Sequence, residues 1–384
     1  MENQNKKKIR LVATGGTIAS QARSRVSTEG YQASVISVED LIAELPELND
    51  IVEMSAEQII LKPSSAITDE DLFHLSARVN ELLASDECDG IVITHGTDTM
   101  EETAFFLNLT VNSPKPVVIT GAMRPAHVIS TDGLLNLYNA VCCAASDASY
   151  GMGVVISMND LILSARDAVK FSSFKTDAFQ APLYGVLGTV RNANVTYCYK
   201  PLMRHTTTSE FAGAQYGKMP RVDVLYMLQG IDDMLFKAAC DAGCKGIVSA
   251  GSGNGGVIGA IGKAYKEEFE AGKDELPVLV RSTRVCTGGV SDAYRMGNPK
   301  IIPSHDLNPH KAAILLRFAL AKTNDPAEIK RIFEQYLEIW VRKRFAGFRI
   351  PISPGLRAGF RGIFAKMAAG YGVFARHMSG QKQI

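Results

Sequence analysis

The sequence predicts an α/β fold of two domains: a larger N-terminal one with a mostly parallel, doubly wound (flavodoxin-like) sheet, and a smaller C-terminal α/β one. Apolar runs rich in β-branched residues alternate with helical patterns along the chain, which is typical of a parallel sheet covered by helices on both faces. The 384 residues also exceed the usual size of a single hydrophobic core. We therefore expect an N-terminal domain at 1–200, a linker at 201–220, a C-terminal domain at 221–336 and a basic extension at 337–384.

The predicted strands of the first domain are short apolar runs bounded by polar loops. They are expected at 9–13, 58–61, 90–93, 116–120 and 154–158. Helical patterns lie between them, at 38–45, at 69–83 and around Leu137. A further helix is expected to begin after Thr99, because Thr99 and Glu102 have the spacing of a capping box.

The second domain repeats the alternation of strand and helix. Strands are expected at 222–227, 246–250 and 277–280, and helices at 232–242, up to 270, at 309–322 and at 326–345. The segment between the domains loses its apolar period, which favours a linker.

Composition and charge exclude several classes of protein. The formal net charge is +1, no apolar run reaches the ~20 residues that span a bilayer, and we expect no secretory signal because the polar start lacks an apolar segment. The seven cysteines are odd in number and scattered, which fits a reducing compartment and a cytoplasmic protein. No metal is expected, because neither Cys240 and Cys244 nor His305 and His310 have partners at metal-ligand spacing.

Two loops at the carboxyl ends of predicted strands carry chemically useful groups. In the first, Gly15 and Gly16 permit close backbone approach and precede the hydroxyl of Thr17. The second, His-Gly-Thr-Asp at 95–98, lies between the strand at 90–93 and a helix. Because ligands of open α/β sheets bind at this end of the strands, a small polar substrate is expected there. A well-capped turn without a ligand is the structural alternative.

Three motifs carry a family resemblance: Thr-Gly-Gly-Thr-Ile-Ala at 14–19, His-Gly-Thr-Asp-Thr-Met-Glu-Glu-Thr-Ala at 95–104 and Gly-Ala-Met-Arg-Pro at 121–125. Arg166-Asp167-x-x-Lys170 follows in matching order, and the likeness covers about residues 8–336. The chain resembles the bacterial-type L-asparaginases, the asparaginase/glutaminase family. The resemblance implies a homo-oligomer, dimer or tetramer, that acts on L-asparagine without a metal or cofactor.

The resemblance also implies hydrolysis of asparagine to aspartate and ammonia through a threonine nucleophile and an acyl-enzyme. Thr17 would attack, and Tyr31, on a long polar loop, would take or relay its proton. Thr97, Asp98 and Lys170 would form a second cluster, in which Lys170 activates Thr97 or the hydrolytic water. The positions that would contact the substrate are Ser64, Ser65, Gly96, Thr97, Asp98, Ala122 and, from a neighbouring subunit, Asn254.

Some positions depart from the family pattern. Ser65 stands where the family has a glutamine, while Gly256 and Tyr294 replace residues that many members contribute from the neighbouring subunit. These changes bear on substrate preference and affinity rather than on the nucleophile. Ser113 stands at one position of the cysteine pair of secreted members, which again fits a cytoplasmic form.

The tail at 337–384 lies outside the resemblance. It holds nine Lys or Arg residues against one acid, so the body is mildly acidic and lacks the charge pattern of a nucleic-acid-binding domain. Apolar residues recur on one helical face from Leu356 to Phe374, but five glycines between 355 and 372 weaken such a helix. We expect a poorly ordered or partner-docked extension, with contact to an anionic membrane as the weaker alternative.

Other functions stay open at this level. The nearest are a glutaminase-asparaginase and the ammonia-supplying subunit of a tRNA-dependent amidotransferase, although that subunit usually has an additional N-terminal domain. A catalytically silent amino-acid-binding protein would use the same pocket without turnover. A phospholipid hydrolase on this scaffold is the most remote alternative.

Overall fold

The computed structural model describes residues 6–28, 36–257, 259–272, 276–292 and 298–336. Its strands are β1 (Lys7–Ala13), β2 (Val52–Gln58), β3 (Gly90–Thr94), β4 (Val117–Thr120), β5 (Val154–Met158), β6 (Leu161–Ser164), β7 (Val169–Lys170), β8 (Phe179–Gln180), β9 (Gly188–Arg191), β10 (Asn194–Tyr197), β11 (Val222–Tyr226), β12 (Gly246–Gly251), β13 (Val278–Thr283) and β14 (Ile301–Pro303). Its helices are α1 (Val38–Ala43), α2 (Leu48–Ile51), α3 (Asp69–Ala84), α4 (Met100–Thr110), α5 (Gly133–Ala145), α6 (Met234–Asp241), α7 (Gly259–Glu270), α8 (Pro309–Lys322) and α9 (Pro326–Gln335).

The larger sheet has eight strands in the order β10-β9-β6-β5-β4-β3-β1-β2. Strands β2, β1, β3, β4 and β5 pair in parallel, and β6, β9 and β10 extend the sheet through antiparallel pairs. The parallel part thus has the flavodoxin-like order 2-1-3-4-5. In this order the chain reverses its direction of winding between β1 and β3, so a crevice opens at their carboxyl ends.

Hydrophobic clusters cover both faces of this sheet. Ile91 and Ile93 of β3 belong to one cluster, together with Phe73 of α3 and Phe105 of α4. Val92, which points to the opposite face, belongs to a second cluster with residues of α1 and α5. Because β3 is buried on both faces, apolar residues are required along the whole strand. The predicted doubly wound sheet is confirmed.

The smaller sheet is parallel throughout, in the order β11-β12-β13-β14. Phe236 of α6 and Tyr265 of α7 pack on one of its faces. On the other face, Leu316 of α8 joins Val248 and Val280 in the same cluster that covers α3 and α4 of the larger sheet. One apolar core therefore runs from the first sheet through α8 to the second.

Two local expectations were wrong. The strand expected at 58–61 is β2, which ends at Gln58, and it pairs with β1 along its whole length. As an edge strand it is mostly half-buried, so it lacks the continuous apolar run that marks β3. The capping box at α4 is also absent, since the Thr99 hydroxyl donates to the carbonyl oxygen of Ser64 at 2.9 Å instead of capping the helix.

The segment expected to be a linker, 201–220, packs closely on the core. The Phe211 ring is 5.2 Å from that of Phe318 on α8, and the Gly213 N–H donates to the Thr110 carbonyl at 2.7 Å. The expected tail at 337–384 lies outside the described residues. Across the described part of the chain, no helix has the length and apolar composition needed to cross a membrane.

Candidate functional site

The loops that follow β1, β2 and β3 touch one another at two glycines. Gly16 has a φ of 95°, and a Cβ placed on it would lie 2.5 Å from the nitrogen of Gly96. A Cβ on Gly96 would in turn lie 2.8 Å from the Ser64 hydroxyl oxygen. Only glycine fits both positions without moving a neighbouring loop. The contact places Thr17, next to Gly16, and Thr97, next to Gly96, on adjoining loops at the crevice between β1 and β3.

A lysine on β7 reaches the rim of this crevice, which the loops after β1, β2 and β3 form. The Lys170 ammonium donates hydrogen bonds to Thr97 Oγ1 at 3.0 Å and to Asp98 Oδ1 at 2.7 Å. The Lys170 side chain is 16% exposed, whereas that of Asp98 is 70% exposed. An ion pair this open to water contributes little to the stability of the fold. Its relevance to the site is that it holds a cation against the buried hydroxyl of Thr97.

The loop after β4 closes the rim on another side. A Cβ on Gly121 would lie 2.4 Å from the His95 carbonyl oxygen and 3.5 Å from Thr97 Cγ2, so this loop also approaches by bare backbone. Asp132 holds the loop, because its carboxylate accepts the N–H groups of residues 123 and 124 at 2.9 Å each. Ala122 is fully buried beneath the rim.

The remaining predicted contact positions differ in their placement. Ser64 is 5% exposed and touches Gly96, while Ser65 is exposed. Asn254 lies on the loop after β12 of the smaller sheet, where its side-chain amide donates to Ser291 Oγ at 2.7 Å. Gly256 closes the same loop through a bridge to Ser252. Tyr31 and Tyr294 lie outside the described residues.

His95 is part of the site, although sequence reasoning assigned it no role. Its ring is fully buried, and burial lowers its pKa to about 4 despite the opposing hydrogen bond with Gly96. The neutral imidazole donates from Nδ1 to the Gly96 carbonyl at 2.7 Å and accepts the Thr103 hydroxyl at Nε2, at 2.9 Å. Because the carbonyl and N–H of a trans peptide point in opposite directions, holding the Gly96 carbonyl also fixes the direction of the Thr97 N–H.

Buried His95 should make the protein acid-sensitive. Its folded-state pKa lies below the unfolded value of 6.5, so the unfolded chain binds the extra proton as the pH falls from about 6.5 to about 4, and stability is lost over that range. His205 and His305 act in the same direction, because burial also lowers their pKa values. Between about pH 7 and pH 5 we expect His95 alone to cost roughly 2 kcal/mol of the free energy of unfolding.

Denaturant titrations of the wild type and of His95→Gln at these two pH values measure this cost. Glutamine stays neutral and keeps a polar group near Thr103, so the pH-dependent difference should shrink by roughly 2 kcal/mol even if the variant is less stable overall. His74→Gln, at an exposed position on α3, is the matched control. An unchanged difference in His95→Gln would show that His95 does not titrate as its burial requires.

The N-terminal and C-terminal parts of the chain each match a known protein domain. Residues 8–203 match the model of the asparaginase N-terminal domain, and residues 221–333 match that of the glutaminase/asparaginase C-terminal domain. L-asparaginase 2 of Bacillus subtilis is 44% identical over 335 residues, which cover 87% of this chain and 88% of the relative. The glutaminase-asparaginase of Pseudomonas aeruginosa is 42% identical over 329 residues, covering 85% of this chain and 90% of the relative.

A solved structure agrees with these matches. A probable cytoplasmic L-asparaginase from Campylobacter jejuni superposes with a TM-score of 0.82 at 41% identity, covering 86% of this chain and all of the other. Residues after 333 lie beyond both domain models. The resemblance carried by the short motifs is therefore confirmed across both sheets, and the chain belongs to the asparaginase/glutaminase family.

Proposed function

We propose that this protein is an L-asparaginase, which hydrolyses L-asparagine to L-aspartate and ammonia. The observation that carries the proposal is the hydrogen bonding of the Lys170 ammonium to Thr97 and Asp98. These two residues lie on a loop that touches the loop of Thr17. Family membership supplies the reaction class, since the relatives named above are L-asparaginases and a glutaminase-asparaginase.

In the proposed mechanism, Thr17 Oγ attacks the side-chain amide carbon of asparagine while its proton passes to a base or relay, the role proposed for Tyr31. The C–N bond then breaks, the nitrogen takes up a proton and leaves as ammonia, and an ester joins Thr17 to the aspartyl group. Water attacks this ester, returns one proton to Thr17 Oγ and releases aspartate. Lys170 activates Thr97 or the hydrolytic water, and Asp98 holds the lysine in place.

The surrounding groups suit the charges that this reaction develops. The Thr97 N–H, whose direction His95 fixes, and a group near Ala122 would stabilise the oxyanion, and one such donor typically contributes about 3–4 kcal/mol. Ser64 and Asp98 would hold the α-carboxylate and α-amino groups of the substrate, with Gly96 and Ser65 beside them. Asn254, on the loop after β12, would act from a neighbouring subunit, as the family resemblance implies.

Ammonia release from asparagine tests the proposal directly. The wild type should release ammonia, Thr17→Ala should lose nearly all activity, and Thr17→Ser should keep a measurable fraction because it retains a hydroxyl. Thr189→Ala, at an exposed position on β9, is the control and should behave like the wild type. A wild type that binds asparagine without releasing ammonia would select the silent binding protein instead.

A glutaminase-asparaginase is the second candidate. It is favoured by the name of the Pseudomonas aeruginosa relative and by Ser65, a short side chain where the family resemblance expects glutamine. The ratio of kcat/KM for asparagine to that for glutamine separates the two. A ratio near one would make the dual activity the better description.

We further propose a cytoplasmic homo-oligomer, a tetramer in the family's usual form. The cytoplasmic assignment is supported by the name of the Campylobacter jejuni protein, although a Haemophilus influenzae relative is named a probable periplasmic L-asparaginase. The oligomer is expected from the family resemblance, in which a neighbouring subunit contributes the residue at the position of Asn254. Mass measurement in solution distinguishes monomer, dimer and tetramer.

A further inference from the structure

Glu101 is a buried carboxylate whose two oxygens face different parts of the protein. It lies in the first turn of α4, three residues after Asp98, and is 6% exposed. Its Oε1 accepts the backbone N–H of Lys170 at 3.0 Å. Its Oε2 accepts His310 Nε2 at 2.8 Å and the Asn308 side-chain amide at 3.3 Å. The carboxylate thus connects the segment of Lys170 to the N-terminus of α8.

Glu101 is ionised despite its burial. Burial raises its pKa, but the hydrogen bond from His310 and the charge of Lys311 outweigh this effect and lower the pKa to about 2. Lys311 Nζ is 3.5 Å from Oε2 and is itself fully buried. A buried charge is tolerated only when partners surround it in this way, so the geometry around Glu101 is strongly constrained.

The same lysine holds the other end of the segment. Lys311 Nζ donates to the Arg166 carbonyl at 3.0 Å and also to the Ala168 carbonyl. The segment 166–170 is therefore fixed by Lys311 through the carbonyls of Arg166 and Ala168 and by Glu101 through the N–H of Lys170. Asn308 accepts the Lys311 N–H as the cap of α8, which sets the position of these groups.

We propose that Glu101 is a positioning residue, which fixes the backbone of Lys170 so that its ammonium meets Thr97 and Asp98, and that His310 on α8 anchors Glu101 for this task. The inference rests on the proposed function, because it concerns the lysine of that site. A lysine side chain has four flexible bonds, so only a fixed backbone keeps its end within hydrogen-bonding reach of both partners. Misplacement of a reacting group by about 1 Å can cost about 100-fold in rate.

Glu101 acts through Lys170, so a double-mutant cycle on asparagine hydrolysis tests the inference. Glu101→Ala should lower kcat by about 100-fold with little change in KM. Glu101→Gln keeps an oxygen acceptor for the Lys170 N–H and should recover most of that loss. In the Lys170→Met background, Glu101→Ala should cost less than about threefold, because the group that it positions is gone.

His310→Ala provides a second cycle if Glu101→Ala does not fold, since the His310 side chain is 38% exposed. It should lower kcat several-fold in the wild-type background and not in Lys170→Met, while His74→Ala should change neither. Equal losses in both backgrounds, from either variant, would overturn the positioning role. A wild type without any ammonia release would instead refute the proposed function, so the two failures are distinguishable.

Discussion

Lys170→Met is expected to lower kcat for asparagine hydrolysis by about 10²–10⁴-fold, the usual contribution of a positioned proton-transfer group. Methionine keeps the length of the side chain and removes the cation that bonds Thr97 and Asp98. The melting temperature should change little, because Asp98 is largely solvated and the ion pair contributes little to stability. Steady-state kinetics and thermal unfolding of the purified protein measure both effects.

Lys175→Met is the matched control for this variant. Lys175 lies five residues further along the chain at an exposed position, so the same change there should leave kcat within about twofold. If Lys170→Met kept wild-type kcat, the contact between the lysine and Thr97 would have no part in the chemistry.

Gly16→Ala is expected to abolish activity and to destabilise the fold. The backbone conformation at Gly16, with φ 95° and ψ −178°, lies in a region that only glycine occupies readily, which costs a side chain about 1–3 kcal/mol. The added Cβ would also lie 2.5 Å from the Gly96 nitrogen, and its nearest neighbours are backbone atoms of His95 and Gly96, so no flexible side chain can move aside. The loops of Thr17 and Thr97 must separate, so kcat should fall more than the loss of stability explains.

Gly230→Ala is a control that introduces backbone strain without a close contact. Gly230 has a φ of 85°, but nothing lies within 4 Å of the Cβ it would gain. This variant should lose stability, because a positive φ disfavours a side chain, and should keep its kcat. Equal kcat values for Gly16→Ala and Gly230→Ala would mean that the close approach of the two loops does not matter to catalysis.

The central strands of the larger sheet could be predicted from the sequence because they are buried on both faces. At β3, every residue from Gly90 to Thr94 is buried, and the apolar run is continuous. The edge strand β2 has no such run, since one face and one edge meet solvent, and its position was therefore misjudged. The antiparallel strands β9 and β10 were missed because exposed residues alternate with buried or half-buried ones. Strand β6 is mostly buried and apolar, but its run of four residues is short.

The sequence could predict only those parts of the candidate site whose positions follow from the order of the strands. Loops at the carboxyl ends of neighbouring parallel strands must meet, which brings Gly16 to Gly96. Lys170 is different: it follows an antiparallel excursion of the chain, and its approach to Thr97 was expected from the family resemblance rather than from its local pattern.

Two groups that organise the site had no distinctive sequence signal. In the sequence, Glu101 resembles any acidic residue in the first turn of a helix, where a solvent-exposed carboxylate interacts favourably with the helix dipole. Its burial depends on His310 and Lys311, more than 200 residues away along the chain. His95 could equally be a ligand-binding or a core histidine until its two hydrogen bonds are known. Both roles arise from tertiary contacts that local patterns do not encode.

The position of the covalent intermediate tests the account most directly. Lys170→Met should slow the later, water-dependent step, so acid quenching during asparagine turnover and peptide mapping should trap an aspartyl ester. The ester is expected on the peptide that contains Thr17, and no ester is expected on Thr97. An ester on Thr97 with Thr17 unmodified would contradict the central claim that the hydroxyl after the first glycine pair is the nucleophile.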